Sequence, residues 1–145
     1  MQVNIKKLSP DAKIPSYGSA EAAGADLYAL TEENVIGENG QTKLIHTGIA
    51  MEIPKGYVGL IYARSGLATK KGLAPANKVG VIDSDYRGEI MVALHNHSGI
   101  SQTVENGERI AQIVLTPYLS ASFCETDDLS DTERGAGGFG STGKK

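Results

Sequence analysis

Cysteine is nearly missing: Cys124 is alone among 145 residues. No intrachain disulfide framework can form, so a disulfide-stapled secreted scaffold is excluded and a reducing compartment is expected, the cytoplasm or, in a eukaryotic source, the nucleus. Long apolar runs are also missing, so no bilayer-spanning helix is expected. The opening MQVNIKKLSP holds no apolar stretch of the kind a secretory leader carries, and none is expected. There is no basic excess either. Lys and Arg number 14 against 17 Asp and Glu, a formal net charge of -3. Nucleic-acid partners select a basic face, so neither nucleic acid nor membrane is expected as a partner. Helix-forming sequence is scarce as well, with one good stretch at Ser65–Lys71, where Ser65 is placed to cap and Gly72 to stop.

What is abundant is glycine, 18 of 145 residues, and a hydrophobic period of two. Ile45, Thr47, Ile49, Met51 and Ile53 alternate with Leu44, His46, Gly48, Ala50 and Glu52. Val58, Leu60 and Tyr62 continue the pattern, as do Ile90, Val92 and Leu94, then Ala111, Ile113 and Leu115. Turn signals close the runs at Pro54-Lys55-Gly56, Asp85 to Gly88, Ser98-Gly99 and Asn106-Gly107. Many short strands at this spacing read as an all-β sandwich or barrel in one domain. The composition changes near Thr126. DDLSDTERGAGGFGSTGKK holds two large apolar residues, Leu129 and Phe139, and cannot bury a core of its own. Residues 1–125 are therefore expected to form the β domain and 126–145 a flexible arm.

Five segments could carry chemistry. In the arm, Arg134 to Gly143 packs five glycines with one arginine, Phe139, Ser141 and Thr142. Glycines let successive N–H groups converge on an anion, and a guanidinium suits phosphate oxygens. A solubilising tail is the plainer alternative. Gly138 to Lys144 has the outline of a phosphate-binding P-loop, but Lys145 stands where Ser or Thr is required. Arg64-Ser65-Gly66 joins a strand to the one helix, as an anion site or as an ordinary cap. Asp83 ends an apolar strand before Tyr86 and Arg87, as a general base or a turn cap. Asp26 follows small residues, and Gln112 sits among apolar neighbours where its amide needs partners. His95 and His97 share a strand face without a third ligand at a matching spacing, so zinc is not expected. Cys124 reads as an inert packing residue.

In this order the segments AAGADLYA, ARSGLA, GVIDSDYRGE, GERIAQ and RGAGGFGSTG closely resemble the five motifs of the trimeric deoxyuridine triphosphatases, the dUTPases, over nearly the whole chain. The resemblance implies a distorted jelly roll of the β-clip kind with one short helix, and a homotrimer whose three sites are each built from three chains. It implies hydrolysis of dUTP to dUMP and pyrophosphate with Mg2+ on the triphosphate, which keeps uracil out of DNA and supplies dUMP for thymidylate synthesis. Asp83 would then activate the water and contact the sugar 3′-hydroxyl, and Tyr86 would leave no room for a 2′-hydroxyl. Asn77 and a hairpin backbone around Val81 and Met91 would read uracil, with Gly80 and Ile82 beside them. Arg64, Ser65, Gly66 and Gln112 would hold phosphates. Arg134, Ser141 and Thr142 would close on the γ-phosphate with Phe139 over the base and Gly138 and Gly140 in the same loop. Asp26 would help hold magnesium through water. A dCTP deaminase, which needs a pocket glutamate, and a non-catalytic trimeric binding protein are the competing readings.

Overall fold

The computed structural model describes residues 1–32 and 34–138. Among these are twelve strands and one helix: β1 (Asn4–Lys7), β2 (Ser16–Tyr17), β3 (Ala25–Tyr28), β4 (Val35–Gly37), β5 (Thr42–His46), β6 (Ile49–Glu52), β7 (Tyr57–Tyr62), α1 (Ser65–Lys71), β8 (Leu73–Pro75), β9 (Gly80–Ile82), β10 (Met91–Asn96), β11 (Gln102–Val104) and β12 (Arg109–Pro117). Every strand pairing is antiparallel. A five-stranded sheet runs β2-β3-β12-β7-β9, and a three-stranded one runs β5-β10-β8. Two strand pairs, β1-β6 and β11-β4, complete the distorted jelly roll.

The core lies between the sheets. Leu27, Ile61 and Ile113 from the larger sheet join Ile45, Val92 and Leu94 from the smaller in one buried cluster. Each fully buried aliphatic side chain contributes about 1.5–3 kcal/mol relative to exposure. The alternation at Ile90, Val92 and Leu94 is the buried face, as the period of two requires. On β7 the core takes the other parity: Gly59 and Ile61 are buried, while Val58 and Leu60 are half-buried and Tyr62 is exposed.

The run through residues 44–53 is cut in two. Gly48 sits at φ +68 between β5 and β6, and a Cβ there would lie 2.4 Å from Leu30 Cδ2 and 2.9 Å from Ala12 Cβ. Only glycine permits that close left-handed corner. The inward parity survives it, with Ile45, Thr47, Ile49, Met51 and Ile53 all buried. Buried Asn96 is satisfied on both ends of its amide, donating to Gly37 O at 2.8 Å and Ile100 O at 2.6 Å and accepting from Ser98 N at 2.9 Å. Gly72 ends α1 at φ 60 with its N–H on Leu67 O, as the sequence indicates.

After β12 the chain leaves the sheets. Tyr118 N–H still reaches Gly56 O at 3.1 Å, and every residue from Pro117 to Ala136 is exposed. Departure therefore comes earlier than the composition change near Thr126. Cys124 is exposed on this segment, not packed in a core. No helix among the described residues is long and apolar enough to cross a membrane.

Candidate active site

Strand register brings three of the expected segments abreast. Gln112 on β12 lies opposite Asp26 on β3 and opposite Tyr62 on β7. Arg64 follows two residues beyond Tyr62, at the entry to α1. Asp26 is 8% exposed, and a carboxylate so buried needs charged partners. It has two: Arg64 Nε donates to Oδ1 at 2.7 Å, and Arg109 Nη1 donates to Oδ2 at 3.3 Å. Gln112 Nε2 donates to Ala63 O at 2.9 Å. Gly24 makes room for it, since a Cβ there would stand 2.4 Å from Gln112 Oε1.

Arg109 was not singled out from the sequence. In a regular strand residues 109 and 112 face opposite ways. A bulge between Arg109 and Ala111 breaks the parity and re-aims the side chain toward Asp26. The bulge has no clear sequence signal, whereas the cation itself was visible in GERIAQ.

The entry to α1 differs from expectation in one respect. The N-cap is Arg64, extended at φ -90 and ψ 129, with no side-chain cap; Ser65 is the first helical residue and exposed. The first-turn amides are therefore left for another acceptor. A hollow of about 330 Å³ opens beside them, lined by Arg64, Gly66, Lys70, Lys71, Glu108 and Arg109. Lys71 Nζ pairs with Glu108 Oε1 at 2.7 Å and the two arginines share Asp26, so four cations against two carboxylates leave the hollow net positive.

Asp83 lies elsewhere on the molecule's surface. It is exposed at the end of β9 and lines a hollow of about 850 Å³ with Glu52, Lys55, Ser84, Asp85 and Arg87. That hollow and the one beside Arg64 share no lining residue. Tyr86 folds back so that its hydroxyl donates to Glu89 O at 2.9 Å. Asn77 is exposed between β8 and β9, and a Cβ on Gly80 would stand 3.5 Å from its Nδ2. Val81 is 60% exposed and Met91 half-buried. The expected hairpin around them is an inter-sheet connection: β9 pairs with β7, and β10 with β5 and β8. Ile82 is half-buried at the end of β9.

In the arm, a turn spans residues 133–136, and Arg134 Nε donates to Gly137 O at 2.9 Å. Gly138 is half-buried. Phe139, Gly140, Ser141 and Thr142 lie outside the described residues.

The dUTPase family model matches residues 10–143. The chain belongs to the dUTPase family. The match spans all five segments quoted above, from Ala22 to Gly143. Two relatives named deoxyuridine 5′-triphosphate nucleotidohydrolase are similar over full length. That of Nautilia profundicola is 54% identical, covering 99% of this chain and 100% of its own. That of Hydrogenobaculum sp. is 48% identical, covering 100% of both. Among solved structures, a variant of the Staphylococcus bacteriophage 80alpha dUTPase described with dUpNHpp superposes with a TM-score of 0.88 at 29% identity, covering 98% of each chain.

For a dUTPase, magnesium has to fit the residues present. No group of three His, Cys, Asp or Glu that could hold an ion occurs among the described residues. Both Asp26 oxygens are committed to guanidiniums, although each keeps a lone pair that a water could use. These donors fit an ion held through its waters.

Proposed function

We propose that Asp83 orients and deprotonates the water that attacks the α-phosphorus as this dUTPase hydrolyses dUTP to dUMP and pyrophosphate. The activity follows from the family match and from full-length relatives named for it. The roles of individual residues are our reading of the site.

In-line attack at phosphorus needs a positioned water and neutralised oxygen charge, not a covalent nucleophile. Arg64 would take phosphate oxygens with its Nη groups while Asp26 holds its Nε. The amides of Ser65 and Gly66 would add donors, and Gln112 would complete the cradle. Tyr86 would lie against the deoxyribose, and Asn77 with the backbone near Gly80, Val81, Ile82 and Met91 would read the uracil edge. Arg134 would meet the γ-phosphate, and Gly138 to Thr142, with Phe139 over the base, would close the site. Mg2+ riding on the triphosphate would neutralise its oxygens, with Asp26 facing the ion's water shell.

The observation that carries the assembly is the separation of the two hollows. Asp83 and Arg64 line different cavities with no wall in common. Past Tyr118 the described arm hydrogen-bonds only within itself, and it exposes Leu119 at 99% and Phe123 at 96%. A homotrimer with sites shared between protomers accounts for both, because one chain's Asp83 would meet another chain's Arg64.

The test is a panel of deoxynucleoside triphosphates assayed for pyrophosphate with and without magnesium, on wild type and Asp83→Asn. Turnover confined to dUTP and nearly lost in Asp83→Asn, with nucleotide still bound, is expected. Normal turnover in that variant would remove Asp83 from its role. Release of ammonia from dCTP would indicate a deaminase.

A further inference from the structure

We propose that Glu89 is a positioning residue whose carboxylate sets the dUTP-over-UTP preference by fixing the ring of Tyr86. The proposal rests on the reading above that Tyr86 excludes a 2′-hydroxyl. Glu89 was visible only as the last letter of the third motif, with no role attached.

The segment 83–90 leaves the five-stranded sheet at β9 and enters the three-stranded sheet at β10. It carries both Asp83 and Tyr86. Its first half is stitched to itself, with Tyr86 N–H on Asp83 O at 3.2 Å and Arg87 Nη1 on Ser84 O at 2.7 Å. Those bonds fix the turn's shape, and its reach to β6, the Arg87–Glu52 ion pair at 3.8 Å, joins two exposed side chains and is weak for that reason.

The tie is at the other end. The Tyr86 hydroxyl donates to Glu89 O at 2.9 Å. The ring lies so close over Gly88 that a Cβ there would stand 2.4 Å from the hydroxyl and 2.5 Å from Cζ. The ring therefore goes where residues 88 and 89 go. Glu89 in turn grips the β5–β6 corner. Its Oε1 accepts from Gly48 N at 2.8 Å and Thr47 N at 3.2 Å, and its Oε2 meets His46 Nδ1 at 2.8 Å. The next residue continues the seam, with Ile90 N–H on Ile49 O at 2.9 Å and the Thr47 hydroxyl on Ile90 O.

The corner is closely packed, since Leu30 and Ala12 fill the space a Cβ on Gly48 would need. A closely packed corner, a charged clamp and a hydroxyl bond thus run in series to the ring. Charge-assisted bonds to backbone N–H groups are the strong members of their class, and small misplacements at a reacting centre are costly.

The experiment measures kcat/KM for dUTP and for UTP, with thermal unfolding as a separate readout. Glu89→Ala is expected to lower the dUTP/UTP ratio on the order of tenfold, less than the roughly hundredfold that a full 1 Å misplacement can cost. Glu89→Asp, which keeps the charge but shortens the reach, is expected to lower it as well and serves if the alanine variant does not fold. Glu89→Gln keeps an acceptor for the Gly48 and Thr47 amides and is expected to restore most of the ratio. Tyr86→Phe, which deletes only the hydroxyl bond, is expected to lower the ratio non-additively with Glu89→Asp. An unchanged ratio in folded Glu89→Asp and Tyr86→Phe, with Tyr86→Ala still losing discrimination, would overturn the proposal and leave the sugar-facing role of Tyr86 standing. An unchanged ratio in Tyr86→Ala would overturn that role and the proposal with it.

Discussion

Asp26 grips Arg64 by its Nε at 2.7 Å, which leaves the two Nη groups of the guanidinium free of that bond. The carboxylate is nearly buried while the Arg64 side chain keeps 27% of its surface exposed. The arrangement orients a cation without consuming the end of it that recognises phosphate. Arg109, bound to the other oxygen, keeps the carboxylate from rotating away.

Asp26→Asn should therefore act on binding before it acts on folding. A hydrogen bond to a charged group contributes about 1.5–3 kcal/mol, and Asn retains one acceptor. KM for dUTP is expected to rise about tenfold, the equivalent of about 1.4 kcal/mol. Steady-state kinetics check this. An unchanged KM would mean that Arg64 needs no orienting partner.

Gly24→Ala is expected to displace Gln112, because the added Cβ would stand 2.4 Å from Gln112 Oε1 and 3.1 Å from Cδ. The amide would lose Ala63 O, at a stability cost of about 1–3 kcal/mol for the crowding. The measurement is dUTP affinity beside a thermal unfolding curve. Loss of stability with unaltered affinity would take Gln112 out of the phosphate cradle.

The Glu89 carboxyl sits below its ordinary value. Burial raises it, but the bond from His46, the Gly48 amide, the charge on His46 and the Thr47 amide together outweigh burial. A carboxyl lowered in the folded state stabilises the fold above the unfolded group's pKa. That contribution is lost as pH falls through the folded value. Wild type should thus lose stability more steeply with acid than Glu89→Gln, and the two curves should converge below the folded pKa. Denaturant melts across the acid range measure it, and parallel curves would contradict the clamp.

Much of this was legible in the residues, for identifiable reasons. Ile90, Val92 and Leu94 advertise a buried face because a strand's parity has no freedom once one face is covered. Ser65–Lys71 is bounded as read because Gly72 supplies the left-handed stop. The break at Gly48 was not legible, since inward parity continues across it and only the packing of Leu30 and Ala12 demands the corner. Arg109 escaped for the related reason that a bulge resets parity. Glu89 escaped because its partners, His46 to Gly48, lie far away in sequence and touch it only once β5 and β10 are paired. The phosphate cradle could be read as separate pieces, and the register of β12 with β3 and β7 unites Asp26 and Gln112.

The central claim is that Asp83 and Arg64 act on one substrate from different protomers. The most direct measurement mixes two variants, Asp83→Asn and Arg64→Ala, by co-refolding, and assays dUTP hydrolysis against each variant alone. Each variant alone should be nearly inactive. Every mixed trimer would contain one site with both native residues, so the mixture should recover a substantial part of the activity. A mixture that forms mixed trimers and stays as inactive as its components would contradict the account.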